Sequence, residues 1–270
     1  MAEPARIRDR LTGLALLAGG ANVIMQLARL PVGHGVVHSP VESGNLYRHP
    51  LKRTRTTLMY LVMAVDGTPE ERKEIRRQIN RVHARVRSRP DSPVQYHAMD
   101  PELQLWVAAC IYRGTEDTCR LLWGEPDERT REELYQDARR YATTLQVREE
   151  QWPADRAAFE EYWQREVTKI EMDDDTRSYL RGFARGTFLP KPLQWLLGPV
   201  MEFMAIGFLY PEFRDELGVS WSERQQRRFD RVIQMLGKVN RVLPRPLREF
   251  PFNVIRWDTR RRLRTGRPVV

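Results

Sequence analysis

Apolar residues in this chain recur at intervals of three and four from one end to the other, and no stretch alternates in the manner of a strand. Such intervals place apolar side chains on one face of a helix. Ile75, Ile79, Val82 and Val86 follow the pattern in a run that Pro69 opens, proline being suited to a first helical position, and that extends to Arg87. Phe159, Tyr162, Trp163, Val167 and Ile170 follow it between Asp155 and Met172. Phe229, Val232, Ile233, Leu236 and Val239 follow it after Ser222 and Gln225, which are spaced as a capping box, in a helix reaching about Val242. Thr130 and Glu133 have the same spacing before a helix reaching about Leu145. Asp100-Pro101 is a cap and start, and the continuation from Leu103 to Tyr112 is apolar on nearly every side, which predicts a central helix. Thr57–Val65 and Arg177–Thr187 predict two more. The chain is therefore predicted to be all-α.

Proline and glycine cluster at 89–93, 124–126, 190–192 and 244–251, and none of these breaks is long enough for a domain linker. The expectation is one helical domain over residues 1–252, followed by a basic, partly extended C-terminal tail over 253–270. Seven Trp, nine Tyr and nine Phe give ample surface to bury, which excludes a mainly disordered chain. The net charge is +9, yet only five of the 45 basic residues are Lys. An Arg-dominated surface follows from genome composition as readily as from phosphate binding. Eight Arg against Glu249 and Asp258 give residues 245–270 a charge of +6. No helix-turn-helix, zinc-finger or RNP signature accompanies them, so specific nucleic-acid binding is not expected.

Cys110 and Cys119 form no disulfide framework or metal-type pair, which points to a reducing compartment; the chain is read as cytoplasmic, and peripheral to a membrane at most. The charge-free stretch from Leu11 to Ala28 follows Arg6, Arg8 and Arg10 and looks like a signal peptide or a short span. Thr12, Asn22, Gln26 and three Gly dilute it, so a buried helix is the reading preferred. The second apolar run, Leu193 to Leu209, contains Gln194 and Glu202 and is interrupted by Gly198-Pro199. It reads as a core or pocket-lining helix.

Of the five histidines, His34, His38, His49, His83 and His97, His83 is the informative one. It stands four residues after Ile79 on the apolar stripe of its helix, so its imidazole faces the core. A buried neutral imidazole needs a hydrogen-bond partner or a metal. Position alone reads more readily as a core histidine bonded to a carbonyl or carboxylate. Arg53 and Thr57 lie one turn apart and share a helix face; together they could hold an anionic cofactor group or polarise a ligand. Unaided, they read as an exposed basic helix start followed by a core residue.

The order of several segments resembles the latex-clearing-protein and MpaB oxygenase family. These are MQLARLPVGHGVVHS in the early helix, Arg53 and Thr57 before an apolar helix ending in DGTPEE, then INRVHARV, YHAMDPELQLWVAA and the late FLYPEFRDELGVSW. The resemblance covers the chain from about Leu11 to Pro251. It implies an all-α fold with a globin-related core and extra helices, and a haem-b-dependent oxygenase acting with dioxygen on a small, apolar, unsaturated, isoprenoid-like molecule. By position it implies His83 as the iron ligand and Arg53 and Thr57 as catalytic, haem-contacting residues. Arg113, Arg214 and Arg248 are candidate partners for the propionates, and His34 or His38 could reach the distal side.

Two departures stand out. The rubber-cleaving members carry a Lys where this chain has Thr56, preceded by Arg55, so a Lys-capped iron is not expected. Ala108 stands where many relatives have His. Two other readings remain open: a haem or small-ligand binding protein without turnover, and an Arg-tail binder of anionic membranes or nucleic acid. Oligomeric state is not legible.

Overall fold

The structure, a computed structural model, describes residues 5–39 and 41–270. Two short 3-10 segments lead into α1 (Gly19–Leu27) and α2 (Leu30–Val37). Then come α3 (Pro50–Asp66), α4 (Pro69–His83), α5 (Pro101–Trp123), α6 (Glu128–Ala138), α7 (Arg140–Thr143) and α8 (Arg156–Val167). The chain ends with α9 (Asp174–Ala184), α10 (Lys191–Phe208), α11 (Pro211–Leu217), α12 (Glu223–Val242), α13 (Arg245–Arg248) and α14 (Phe252–Arg264). Among the described residues there is no strand, only an isolated antiparallel bridge between Arg87 and His97. The protein is all-α.

The all-round apolar segment is the central helix. Leu105, Trp106, Ala108, Ala109, Cys110, Ile111 and Tyr112 of α5 are buried, and α5 packs against α1, α7 and α12. Trp106 stacks on Trp163 of α8 at 5.3 Å, and Tyr112, Tyr135 and Phe159 meet edge-on beside it. Each such side chain, fully buried, stabilises the fold by roughly 1.5–3 kcal/mol. The early apolar stretch is core as well. Asn22 donates to the Cys110 carbonyl at 2.6 Å, and the Trp106 indole donates to the Gln26 carbonyl at 3.0 Å. Among the described residues no single helix is long and apolar enough to cross a membrane; Gly13–Leu27 with Leu30–Val37 passes by length and composition only as a pair bent by 110°.

Several boundaries differ from the sequence reading: the helix expected to reach about Leu145 stops at Ala138, and the one expected to reach Met172 stops at Val167. Asp127, not Thr130, caps α6: its carboxylate accepts from the Thr130 amide at 2.7 Å, and Glu133 is engaged by the Ala5 amide at 2.8 Å. The helix expected to reach Arg87 ends at His83. Most consequentially, α10 continues through Pro199, which removes one backbone hydrogen bond without ending the helix. Only its second half is core; Leu193, Trp195, Leu196, Leu197 and Val200 are exposed.

The basic C-terminal segment is helical and docked, where a partly extended tail was expected. Arg256 pairs with Asp66 at 3.3 Å and Arg260 with Glu71 at 3.0 Å, holding α14 against α3 and the start of α4. Phe252 and Val269 then close a second core with Leu58, Met59, Val62, Ile75 and Ile79. Several of the tail arginines are thus spent on the protein's own carboxylates.

Candidate functional site

The site is built from the start of α3, the end of α4 and the middle of α9. Pro50 opens α3, so Arg53 falls in its first turn and Thr57 one turn later on the same face. The inward stripe Leu58, Met59, Val62 and Val65 anchors the helix. Arg55 and Thr56 are engaged elsewhere. The Arg55 guanidinium donates to the Val269 carbonyl at 3.0 Å and lies 3.7 Å from Asp258, while the Thr56 hydroxyl donates to the Arg53 carbonyl at 3.0 Å.

The start of α4 is fixed by a reciprocal capping box between Thr68 and Glu71, and Ile75 and Ile79 bury its inner face. His83 is the last residue of that face. It is half-buried, its Nδ1 is buried without a hydrogen-bond partner, and no hydrogen bond reaches the other ring nitrogen among the described residues. Burial, seconded by the Arg53 guanidinium, pushes its pKa down to about 4. A helix C-terminus favours an imidazolium by roughly 0.3–1 kcal/mol; here desolvation outweighs it, and the ring is a neutral base at pH 7.

Arg53 is open to water, yet its pKa is lowered, chiefly by desolvation and against the opposing influence of Tyr179. No carboxylate pairs with Arg53 among the described residues, and the Thr57 hydroxyl likewise has no partner. Tyr179 of α9 completes the cluster, its phenol pushed up to about 12 by burial and by Tyr47. Tyr47 packs edge-on against Tyr179 at 5.2 Å and against Phe188 at 6.3 Å. The sequence-predicted His83, Arg53 and Thr57 thus lie on two adjoining helix ends. Tyr179 and Tyr47 were missed, because neither sits in a segment whose spacing signals a pocket.

Two of the three other cationic candidates are committed to structure. Arg113 pairs with Glu116 at 3.1 Å and with Glu160 at 2.5 Å, and lies over the Trp163 ring. Arg214 donates to the Ile206 carbonyl at 2.9 Å and stacks on Trp221. Arg248 lies 4.4 Å over Trp123. Arg113 and Arg214 are thus not free to meet a ligand's carboxylate as Arg53 is, whereas Arg248 has no carboxylate partner among the described residues and its Nε is buried without a hydrogen-bond partner.

A second polar cluster lies at the start of α9. His34 of α2 sits 2.5 Å from Asp173, and His38, one turn on, lies 3.5 Å from Asp175. His34, His38 and Asp173 bring three donor atoms within 4.8 Å of one another, close enough for a divalent cation to draw them in. Each Asp173 oxygen already has a partner, however: one accepts from the Thr176 amide at 2.9 Å as the cap of α9, and the other meets His34. Burial raises the Asp173 carboxyl, but these hydrogen bonds outweigh it and hold the pKa at about 2. The arrangement is satisfied as a clamp between α2 and α9. His49 and His97 are exposed, which leaves His83 as the histidine with a buried ring nitrogen that has no partner. A surface groove of about 770 Å³ runs between α4 and α14, lined by Glu70, Glu74, Arg256, Trp257 and Arg260. It lies at the opposite end of α4, about 13 Å along the helix from His83, and its charges are largely paired.

An all-helical protein with a lone, unprotonated imidazole facing an unpaired guanidinium is the class that fold and site define. The family described as "ER-bound oxygenase mpaB/B'/Rubber oxygenase, catalytic domain" matches residues 8–238. The chain belongs to that family, and the matched region is its oxygenase catalytic domain. Uncharacterised proteins of Mycobacterium bovis and Mycobacterium tuberculosis are each 48% identical to it over 255 residues, covering 94% of this chain and all of theirs. No solved structure matches it.

Proposed function

We propose that the protein is a haem-b-dependent oxygenase in which His83 ligates the iron and Arg53 and Thr57 line the same pocket, acting with dioxygen on a small, apolar, unsaturated molecule of isoprenoid type. The observation that carries this reading is the His83 imidazole: half-buried, neutral, and with a buried Nδ1 that has no hydrogen-bond partner. An orphaned buried nitrogen is costly unless something absent from the polypeptide satisfies it, and a neutral imidazole is the form that binds iron.

The donor set around it fits the rest of a haem. Arg53 is an unpaired, partly desolvated cation, as a propionate carboxylate requires, and a guanidinium can meet a carboxylate through two parallel hydrogen bonds. Thr57 offers a free hydroxyl one turn deeper. When bound, haem iron supplies the one-electron and dioxygen chemistry that side chains lack. The chain's own residues would bind and orient: His83 would hold the iron and tune its electronics, Arg53 would hold a propionate, and Tyr179 with Tyr47 would help exclude water. With Arg55 tied to the C-terminus and the Thr56 hydroxyl bonded to its own helix, no side chain from positions 55 and 56 is available as a second ligand.

The test is the absorption spectrum of the purified, haem-supplemented protein, oxidised and after dithionite reduction. The expected result is a Soret band that shifts on reduction, lost in His83→Ala. A protein with no Soret band, or a His83→Ala variant with unchanged haem loading, overturns the proposal.

A further inference from the structure

The first half of α10 is apolar and points away from the molecule. Leu193, Leu196, Leu197 and Val200 recur at helical spacing, and Trp195 stands beside them; Trp195 is 81% and Leu196 71% exposed. Isolated apolar residues on a surface need no explanation, but five large ones within eight residues do. The same helix turns into the core one turn later, where Met204, Ala205, Ile206 and Gly207 are buried. The exposed half is thus a tip carried on a helix that the core holds firmly.

Charge around the tip is predominantly basic, with Glu223 and Asp230 the acidic residues of α12. No acidic residue occurs between Asp175 and Glu202, whereas Arg177, Arg181, Arg185 and Lys191 do; Glu202 itself is bonded to Arg185 at 2.9 Å. Alongside runs α12, whose Arg228 lies 5.2 Å over Phe203 of α10. Its outer face repeats at three and four residues: Arg224, Arg228, Arg231, Met235, Lys238 and Val242, all exposed. Among the described residues Lys191, Arg224, Lys238 and Arg241 have no carboxylate partner.

We propose that this face docks the protein on an anionic lipid bilayer surface. Trp195 and Leu196 would enter the boundary between headgroups and acyl chains, where an amphipathic indole is at home. The cations of α12 and Lys191 would lie over lipid phosphates, and their stems would snorkel beside Met235 and Val242. A second copy of the chain is a poorer occupant: cations outnumber the exposed carboxylates Glu223 and Asp230 on α12, so two such faces would press unpaired cations together. A consequence for the catalytic site rests on the oxygenase reading, although the docking does not. Phe188, in the connection from α9 to α10, packs on Tyr47, which packs on Tyr179 beside Arg53. A molecule dissolved in the bilayer would therefore approach the His83 pocket from the tip side.

The test is flotation of the full-length protein with vesicles of phosphatidylcholine alone and of phosphatidylcholine with one-third phosphatidylglycerol, alongside sedimentation without lipid. The expected result is binding to the mixed vesicles, weakened by salt. Partitioning should fall at least tenfold in Trp195→Ser/Leu196→Ser and severalfold in Arg224→Ser/Lys238→Ser, with unchanged thermal midpoints because every substituted side chain is exposed. The idea is overturned if the wild type does not float with anionic vesicles, or if Trp195→Ser/Leu196→Ser floats as well as wild type. A lipid-free dimer that the same variant converts to monomer would assign the face to a second copy instead.

Discussion

His83 is a residue whose burial and protonation work against each other. Its folded pKa of about 4 lies below the ordinary value of 6.5, so the unfolded chain binds the proton more readily. The group contributes nothing to pH dependence above about pH 6.5. As pH falls from there towards 4 it destabilises the fold progressively, by at most roughly 3 kcal/mol. Replacing His83 with Gln should remove that part of the acid-side slope. Urea unfolding at pH 7.5 and 4.5 checks this: the variant should gain on wild type only at the lower pH, and an equal difference at both would mean that His83 is not buried neutral. Arg53 makes the complementary case. An unpaired, desolvated cation does little for stability, so Arg53→Met should leave the thermal midpoint unchanged or slightly raised while weakening haem retention severalfold. A large loss of stability would instead mean that Arg53 is a structural residue.

At the level of elements, much of the architecture was legible because helical periodicity is local. Asp100 caps α5 and Ser222 with Gln225 boxes α12, as expected, since a cap needs only its own next three residues. One misreading is local: Asp127, three residues before Thr130, takes the capping role by accepting from its amide. Another has a non-local cause. The C-terminal segment looked like a loose basic tail because its partners, Asp66 and Glu71, lie about 190 residues away. Val269 is fully buried, its amide bonded to Gln78 at 2.9 Å. Val269→Asp should accordingly lower stability by at least about 2 kcal/mol, measurable as a shift in denaturation midpoint; a free arm would show none. The crossing of α10 and α12 has a similar test. A Cβ on Gly207 would fall 2.2 Å from the Phe229 ring, and Phe229 is itself buried. Gly207→Ala should cost about 1–3 kcal/mol, seen as a thermal midpoint several degrees lower, and an unchanged midpoint would mean that the crossing is loose.

For the whole molecule, the sequence named the candidate site's residues without showing that they meet. The spacing of Arg53 and Thr57 put them on one face, and the stripe through Ile79 turned His83 inward, but periodicity does not say which helix ends adjoin. Order and resemblance supplied that pairing. Tyr179 could not be found this way: it is 96 residues from His83 in the chain, and its own helix shows only an ordinary amphipathic pattern. The exposed half of α10 was equally hidden, because an apolar run has the same composition whether a protein core or something outside the protein covers it.

The claim on which the rest depends is that the His83 ring binds iron, and removing and returning that ring tests it most directly. Haem titration of His83→Gly, with and without free imidazole, should give weak binding and an altered Soret band that added imidazole restores towards wild type. A His83→Gly spectrum identical to wild type in the absence of imidazole would contradict it.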